Sequence, residues 1–191
     1  MEEVKFRIEL IQKSTSGTFG FPPLITQEFC YLQIRMICEL VAVGCLVAHG
    51  DIVEAKRLKK EFSAGRIINQ LEKLHSDFYP HACKQVKVQE NVFHLEKVTE
   101  VYMGKEELVA LYNKCGDFLH RGSLKKLLSG KQPIQKNFPD IVAAVNKLAI
   151  LLNFHRISLA DGDTQIICML RNKDNQNRVQ VVIAEADKQR C

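Results

Sequence analysis

The residues best suited to chemistry lie in one segment, residues 108–122, whose spacing predicts a helix with two distinct faces. One face is apolar and is expected to contact a core; it comprises Leu108, Leu111, Tyr112, Cys115, Phe118 and Leu119. The other is a polar line with members three or four residues apart; it comprises Asn113, Gly116, Asp117 and His120. An imidazole can accept or donate a proton near neutral pH, and a carboxylate one turn earlier can orient it. His120 with Asp117 is therefore a candidate proton-transfer site, and a structural histidine at a helix end is the alternative.

Positive charge is concentrated around this histidine. Residues 114–136 contain six lysines and arginines against one acidic residue, a net charge of +5 that equals the net charge of the whole chain. Lys114 and Arg121 are placed to hold a phosphate beside the imidazole, and Lys125 and Lys126 extend the basic surface. This set would suit metal-independent cleavage of an RNA backbone, with the histidine moving protons and a cation stabilising the crowded phosphate. Binding of RNA or another polyanion without turnover is the other interpretation, and a solvated helix face is the third.

The sequence YNKCGDFLHRG, residues 112–122, resembles the last core helix of HEPN-type helical domains. This resemblance implies an antiparallel helical bundle, frequent dimerisation along the helix that bears the histidine, and contact with RNA or nucleotides. Active members of that family cleave RNA with an arginine and a later histidine that are separated by four to six intervening residues. Here the three matching positions are Asn113, Lys114 and Cys115. Lysine supplies the charge but lacks the planar fork that grips phosphate, so the resemblance favours a non-catalytic module over an endoribonuclease.

Arg35 and Glu39 are the second candidate pair for the site. They lie four residues apart in the most apolar helix that the sequence predicts. Because burying an unpaired charge is costly, they are expected to form an ion pair with each other or to point into a cleft shared with His120. A buried carboxylate near a histidine would perturb the pKa of both groups and mark a binding site.

Periodicity along the chain predicts the elements that must position these residues. The predicted helices span residues 26–49, 63–75, 105–119 and 140–152, with a basic helix after Asp51 and a short helix at 124–128. Alternating apolar and polar residues predict a strand at 4–11, one or two short strands within 84–98, and a C-terminal meander at 154–159, 164–170 and 178–185. The dipeptide Asp161-Gly162 is typical of the hairpin turn between the first two strands of that meander.

The expected fold class is α+β: an antiparallel helical bundle with a small antiparallel sheet, formed by the C-terminal meander and joined by the N-terminal strand. One domain, residues 1–191, is expected, with a helical core over about 26–152 and the meander over about 154–186. Strand 178–185 is apolar enough that an unpaired edge would favour association through it.

Composition narrows the class of protein further. The N-terminus is acidic where a signal peptide is basic, and the longest apolar run, residues 36–48, is interrupted by Glu39 and shorter than a membrane span, so a cytoplasmic protein without membrane contact is expected. Seven cysteines without a CxxC pair indicate buried thiols in a reducing compartment. No metal site and no cofactor is expected, since the phosphate-loop, zinc-protease and dinucleotide patterns are missing. The expected partners are RNA or another polyanion, a protein, and a second copy of the chain in a homodimer. A structural dimer that binds an acidic protein surface is the remaining alternative.

Overall fold

The computed structural model describes residues 1–90, 92–119, 138–172 and 175–185. They form a group of helices and one five-stranded antiparallel sheet, which confirms the predicted α+β class. The helices are α1 (Glu2–Thr15), α2 (Pro23–Ala48), a 3-10 helix (Ala55–Lys60), α3 (Ala64–Leu74), α4 (Lys105–Leu119) and α5 (Phe138–Asn153). The strands are β1 (His81–Gln89), β2 (Val92–Lys97), β3 (Phe154–Ser158), β4 (Thr164–Asn172) and β5 (Arg178–Glu185). The short helix predicted at 124–128 lies outside the described residues.

Helix α2 is the centre of the helical part, because α1, α3 and α4 all pack against it. It begins at Pro23, after Pro22 at the N-cap, because the fixed φ angle of proline suits the first turn; the helix therefore starts three residues before the predicted position. Its buried side contributes most of the core; the apolar members are Cys30, Tyr31, Ile34, Ile37, Cys38, Val41, Ala42 and Cys45. The helix is long and apolar enough to cross a membrane. However, half of its most apolar segment is buried against other elements of the protein, as is typical of a core helix.

The predicted N-terminal strand was wrong, since residues 4–11 belong to helix α1. Val4, Ile8 and Ile11 are buried, and their spacing of four and three residues follows one side of a helix. Phe6, which a strand would have placed on the same face as Val4, is 59% exposed. An ion pair between Arg7 and Glu3, one turn apart, further stabilises the helical form. The N-terminal segment therefore contributes no strand to the sheet, although the Glu2 carboxylate accepts a hydrogen bond from the backbone N–H of Val179 in β5.

The strand order in the sheet is β2-β1-β3-β4-β5. The predicted meander is confirmed in β3, β4 and β5, all paired within the chain. At the turn between β3 and β4, the Asp161 carboxylate accepts backbone N–H bonds from Asp163 and Thr164, and Gly162 takes a positive φ of 75°. Strands β1 and β2 form a hairpin that joins the sheet where His81 and Ala82 pair with β3. Helix α5 packs on this sheet and links it to the helical part.

Candidate functional site

Arg35 on α2 reaches across to α4 and forms the main polar cluster between these two helices. Its Nη2 donates a hydrogen bond of 2.9 Å to the hydroxyl of Tyr112, and its Nε donates one of 3.2 Å to Glu39 Oε1. The guanidinium carbon also lies 4.5 Å from the centroid of the Tyr112 ring, within the range of a cation–π contact. The side chains of Arg35 and Glu39 are only 24% and 25% exposed. The predicted ion pair is thus confirmed, and Tyr112 is a partner that the sequence had indicated only as a core residue.

Gly116 leaves room on α4 for the guanidinium of Arg35. A Cβ atom added to Gly116 would lie 2.9 Å from Arg35 Nη1, closer than real Cβ contacts allow. Gly116 is buried, so its predicted place on the exposed polar line of α4 was wrong. A glycine in the middle of a helix lowers helix stability, so its presence at position 116 indicates that a larger side chain would not fit there.

Cys115 lies in the same interface and is fully buried. Burial raises the pKa of its thiol to about 12, although the positive charges of Arg35 and Lys114 act in the opposite direction. A thiol with such a pKa stays protonated near neutral pH and is a poor nucleophile. One turn further along α4, the Phe118 ring packs on Tyr31 of α2, with ring centroids 4.4 Å apart. The interface therefore closes with aromatic contacts towards the end of α4.

Lys114, the predicted phosphate-binding lysine, lies on the side of α4 that faces α5. Its Nζ donates a hydrogen bond of 3.0 Å to Asp140 Oδ2, and both side chains are about half exposed. The hydrogen bond to Asp140 raises the pKa of Lys114, so the amine keeps its charge. A second bridge between the same helices joins Lys147 Nζ to Glu107 Oε1 at 2.6 Å. These two ion pairs flank a shallow groove of about 270 Å³ whose apolar lining includes Ala110, Leu111, Ala143 and Ala144.

The remaining predicted site residues are either exposed or outside the described part of the chain. Asp117 is exposed on α4. His120, Arg121, Lys125 and Lys126 lie outside the described residues, so a cleft shared by Arg35, Glu39 and His120 stays a prediction. Among the described residues, Arg35 donates hydrogen bonds to Tyr112 and Glu39, whereas Lys114 donates one to Asp140 on α5.

A second polar cluster, which the sequence did not indicate, forms where β1 meets β3. His81 Nε2 lies 2.6 Å from Asp77 Oδ1, and Ser158 also forms a hydrogen bond with that carboxylate. Arg156 pairs with His81 across the two strands. Burial raises the pKa of Asp77, but the bonds from Ser158 and His81 and the nearby Arg156 outweigh it, so the net pKa is lowered. Asp77 is therefore an ionised anchor that both hydrogen-bond donors share, and the arrangement stabilises the start of the hairpin.

Two buried histidines make backbone contacts of a structural kind. Nδ1 of His49 lies 2.8 Å from the carbonyl oxygen of Cys45, and its Nε2 lies 3.1 Å from that of Ser158. His155 is 3% exposed, its Nδ1 lies 3.2 Å from the Leu152 carbonyl oxygen, and burial lowers its pKa to about 4. Among the described residues, no group of three or more His, Cys, Asp or Glu side chains is arranged to hold a metal ion.

Comparison of this chain with protein-family models, with curated proteins and with solved structures found no match. The HEPN-like resemblance of residues 112–122 therefore stays a prediction, and function is argued from the residues themselves.

Proposed function

We propose that this protein is a non-catalytic, cytoplasmic binding module of the HEPN-like helical class that contacts RNA or another polyanion through its basic segment, residues 114–136. The observation that carries the non-catalytic part is the closed Arg35 cluster. The Arg35 guanidinium is bonded to Tyr112 and Glu39 and covered on one face by an aromatic ring, so its charge is balanced within the fold. A cation held in this way contributes to the packing of α2 on α4 rather than to the binding of a phosphate.

The polyanion part of the proposal is supported by charge. The basic segment has a net charge of +5, equal to that of the whole chain. Lys114, at its start, is held by an ion pair that is about half exposed, and exposed pairs of this kind contribute little free energy. An incoming phosphate can therefore exchange with Asp140 as the partner of Lys114 at small cost. The cytoplasmic part is supported by the six described cysteines, all of them buried and unpaired.

A metal-independent endoribonuclease is the competing proposal, with His120 transferring protons and Lys114 or Arg121 stabilising the phosphate. This proposal also relies on the basic segment to bind RNA, but the reaction needs in addition a cation beside the imidazole in the transition state. Against it stand the missing arginine of the family pattern and the engagement of Arg35 elsewhere.

The experiment that separates these two proposals is incubation of protein in excess EDTA with a panel of labelled RNAs. Binding is read by fluorescence anisotropy and cleavage by gel, at low salt and at ~0.2 M salt. The test variant is Lys125→Glu/Lys126→Glu, and the matched control is Lys56→Glu/Lys60→Glu, which changes the charge equally at two exposed lysines of the 3-10 helix. We expect binding that weakens with salt, is lost in the test variant and is kept in the control, without cleavage. Cleavage that disappears in His120→Ala would establish the ribonuclease instead, and absence of any binding by the unchanged protein would overturn the polyanion role.

A second function, binding of a protein partner, is favoured by one specific feature of the fold. Five apolar side chains of α2 are more than 40% exposed, namely Leu24, Ile25, Leu32, Val43 and Val47. Exposed apolar side chains that are grouped on one helix are typical of a surface that binds a protein partner.

A further inference from the structure

The connection between α1 and α2, together with the first turn of α2, forms an apolar projection, residues 16–25, here named the aromatic loop. Every residue of this loop is exposed. Its large apolar members are Phe19, Phe21, Leu24 and Ile25, each between 37% and 44% exposed. The ring centroids of Phe19 and Phe21 lie 5.6 Å apart, and the two rings pack against that of Phe29 on α2 at 6.1 and 5.9 Å. The third ring therefore holds the two exposed rings in place.

The aromatic loop lies within a stretch of chain that carries no charge, since residues 14–27 contain no acidic or basic side chain. The nearest charged residues are Lys13, which is exposed at the end of α1, and Glu28, which is partly buried one turn into α2. Moving a charge from water into an apolar medium is costly, and this loop carries none. The loop can therefore enter an apolar phase at little electrostatic cost.

Several backbone groups of the loop already have partners within the protein. The N–H groups of Gly17, Thr18 and Gly20 donate hydrogen bonds of 3.0–3.1 Å to carbonyl oxygens of the same turn. The next residues but one, Pro22 and Pro23, have no N–H group. A bilayer offers no water to exposed backbone groups, so a segment that enters it must satisfy them internally. At these positions the loop meets that requirement before any contact is made.

We infer that the aromatic loop is a membrane-contact site, which inserts its apolar side chains into the interfacial region of a phospholipid bilayer while the rest of the protein stays in water. The shape of the loop favours a bilayer over a protein. A Cβ atom added to Gly17 or Gly20 would have no neighbouring atom within 4 Å, so the loop projects and does not form a groove. A bilayer receives a projecting loop without a complementary pocket. Membrane contact was not expected from the sequence because that expectation considered segments that span a bilayer, and a loop that enters only the interface is not one of them.

The inference goes beyond the functions proposed above, and it divides the exposed apolar residues of α2 into two surfaces. Leu24 and Ile25 belong to the aromatic loop and are assigned to the membrane. Leu32, Val43 and Val47 lie further along α2 and stay available to a protein partner. The two surfaces can therefore be tested with separate variants.

Positive charge lies towards the same end of the helical part. Arg35 on α2 contacts Tyr112 on α4. Tyr31, one turn earlier on α2, contacts Phe118, which comes later on α4, so the two helices run antiparallel. The end of α4, from which the basic segment continues, is therefore directed towards the start of α2 and the aromatic loop. Lys13 adds a positive charge at the foot of the loop.

This arrangement favours a bilayer that contains anionic lipids. Anionic headgroups attract lysine and arginine near the surface, and apolar insertion combined with basic residues is a two-part mode of membrane binding. The electrostatic contribution rests on the proposed polyanion function, since an anionic lipid surface is a polyanion. Insertion of the aromatic loop does not rest on it.

The first test is cosedimentation of the full chain with vesicles of phosphatidylcholine alone and with vesicles of equal parts of phosphatidylcholine and phosphatidylserine. The test variant is Phe19→Ser/Phe21→Ser. The matched control is Phe6→Ser/Phe62→Ser, which makes the same substitutions at two rings that are 59% and 78% exposed elsewhere. We expect the control to bind the mixed vesicles as the unchanged protein does, and the test variant to bind them at least roughly tenfold more weakly, since two rings lose their burial in the bilayer. Far-UV circular dichroism of each variant verifies folding.

The second test reads insertion directly and does not depend on loss of binding. The chain contains no tryptophan, so a single introduced tryptophan reports only on its own surroundings. We expect the emission of Phe21→Trp to shift to shorter wavelength when mixed vesicles are added and to be quenched by lipids that are brominated in the acyl chain. Phe62→Trp, the control, should show neither effect. Unshifted emission of Phe21→Trp with mixed vesicles would overturn the inference.

RNA binding measured on the same variants keeps the membrane site separable from the polyanion function. Failure of the unchanged protein to bind either kind of vesicle, or equal binding by the unchanged protein and Phe19→Ser/Phe21→Ser, would overturn the membrane site and leave the polyanion function to the RNA measurement. Loss of RNA binding in that variant, without vesicle binding by the unchanged protein, would assign the two rings to stacking on RNA bases instead. Vesicle binding that depends on the two rings, in a protein that binds no RNA, would support the membrane site alone.

Discussion

The strength of the hydrogen bond between Arg35 and Tyr112 tests whether the polar cluster stabilises the packing of α2 on α4. The perturbation is a double-mutant cycle with Arg35→Met, Tyr112→Phe and the combined variant. Tyr112→Phe removes the hydroxyl that accepts the 2.9 Å bond from Arg35 but keeps the ring under the guanidinium. The cycle therefore isolates mainly the hydrogen bond between α2 and α4.

The expected coupling free energy between Arg35 and Tyr112 follows from how far the two side chains are buried. A hydrogen bond that involves a charged group contributes about 1.5–3 kcal/mol to stability. Tyr112 is only 7% exposed, which favours a strong bond, but the Arg35 side chain is 24% exposed, so water replaces part of the lost interaction. We therefore expect a coupling free energy near the low end, about 1.5 kcal/mol. The cation–π contact, about 0.5–1 kcal/mol, largely persists in Tyr112→Phe and is lost only with Arg35→Met.

The assay is urea-induced unfolding of the four proteins, followed by circular dichroism. The control cycle uses Lys84→Met and Glu96→Gln, whose ion pair of 3.1 Å across β1 and β2 is more than half exposed on both sides. Exposed pairs of this kind contribute at most about 1 kcal/mol, so its coupling should be clearly smaller. A coupling for Arg35 and Tyr112 no larger than that of the control would refute the reasoning. The guanidinium would then be free to serve a ligand, and the non-catalytic proposal would lose its main support.

Two further predictions concern buried groups. In the folded protein the pKa of His155 is about 4, below the ordinary 6.5, so the contribution of this residue to stability is fully present above pH 6.5 and is lost as the pH falls towards 4, by about 3 kcal/mol in total. When unfolding in urea is measured from pH 7 to 4.5, the free energy of unfolding should depend less steeply on pH in His155→Gln than in the unchanged protein. Equal slopes for the two proteins would contradict the assignment. The six described cysteines are buried, and burial raises the pKa of each thiol. In a Cys191→Ser background, a thiol reagent at pH 7.5 should therefore label none of the six in the native protein and all six in urea. Rapid labelling of Cys115 in the native protein would show that the interface between α2 and α4 is open.

Local periodicity predicted most of the helical part and the C-terminal strands. Helix α4 was predicted with its observed bounds, because its acidic first turn and its apolar spacing point to the same structure. Helix α1 was mistaken for a strand, because Val4, Phe6, Ile8 and Leu10 alternate while Val4, Ile8 and Ile11 also fit a helix. Only packing decides between the two periods in so short a segment, and packing buried the helical set.

The candidate site was predictable only where its contacts are local. The bond between Arg35 and Glu39 follows from a separation of four residues on one helix. The bond between Arg35 and Tyr112 spans 77 residues and depends on which turn of α4 lies beside α2. The cluster of Asp77, His81 and Ser158 depends in the same way on the pairing of β1 with β3. Sequence spacing carries no information about such juxtapositions, so these partners became visible only in the fold.

Helix α2 is more apolar than its buried contacts alone require. Its second half is apolar nearly all round, which predicts a helix buried on every side. In the structure the inner side is buried against α1, α3 and α4, yet Val43 and Val47 on the outer side are 41% and 74% exposed. Part of that outer side is covered within the chain, where the ring of Phe29 packs against those of Phe19 and Phe21, and the exposed remainder is the feature that supports the protein-partner function proposed above.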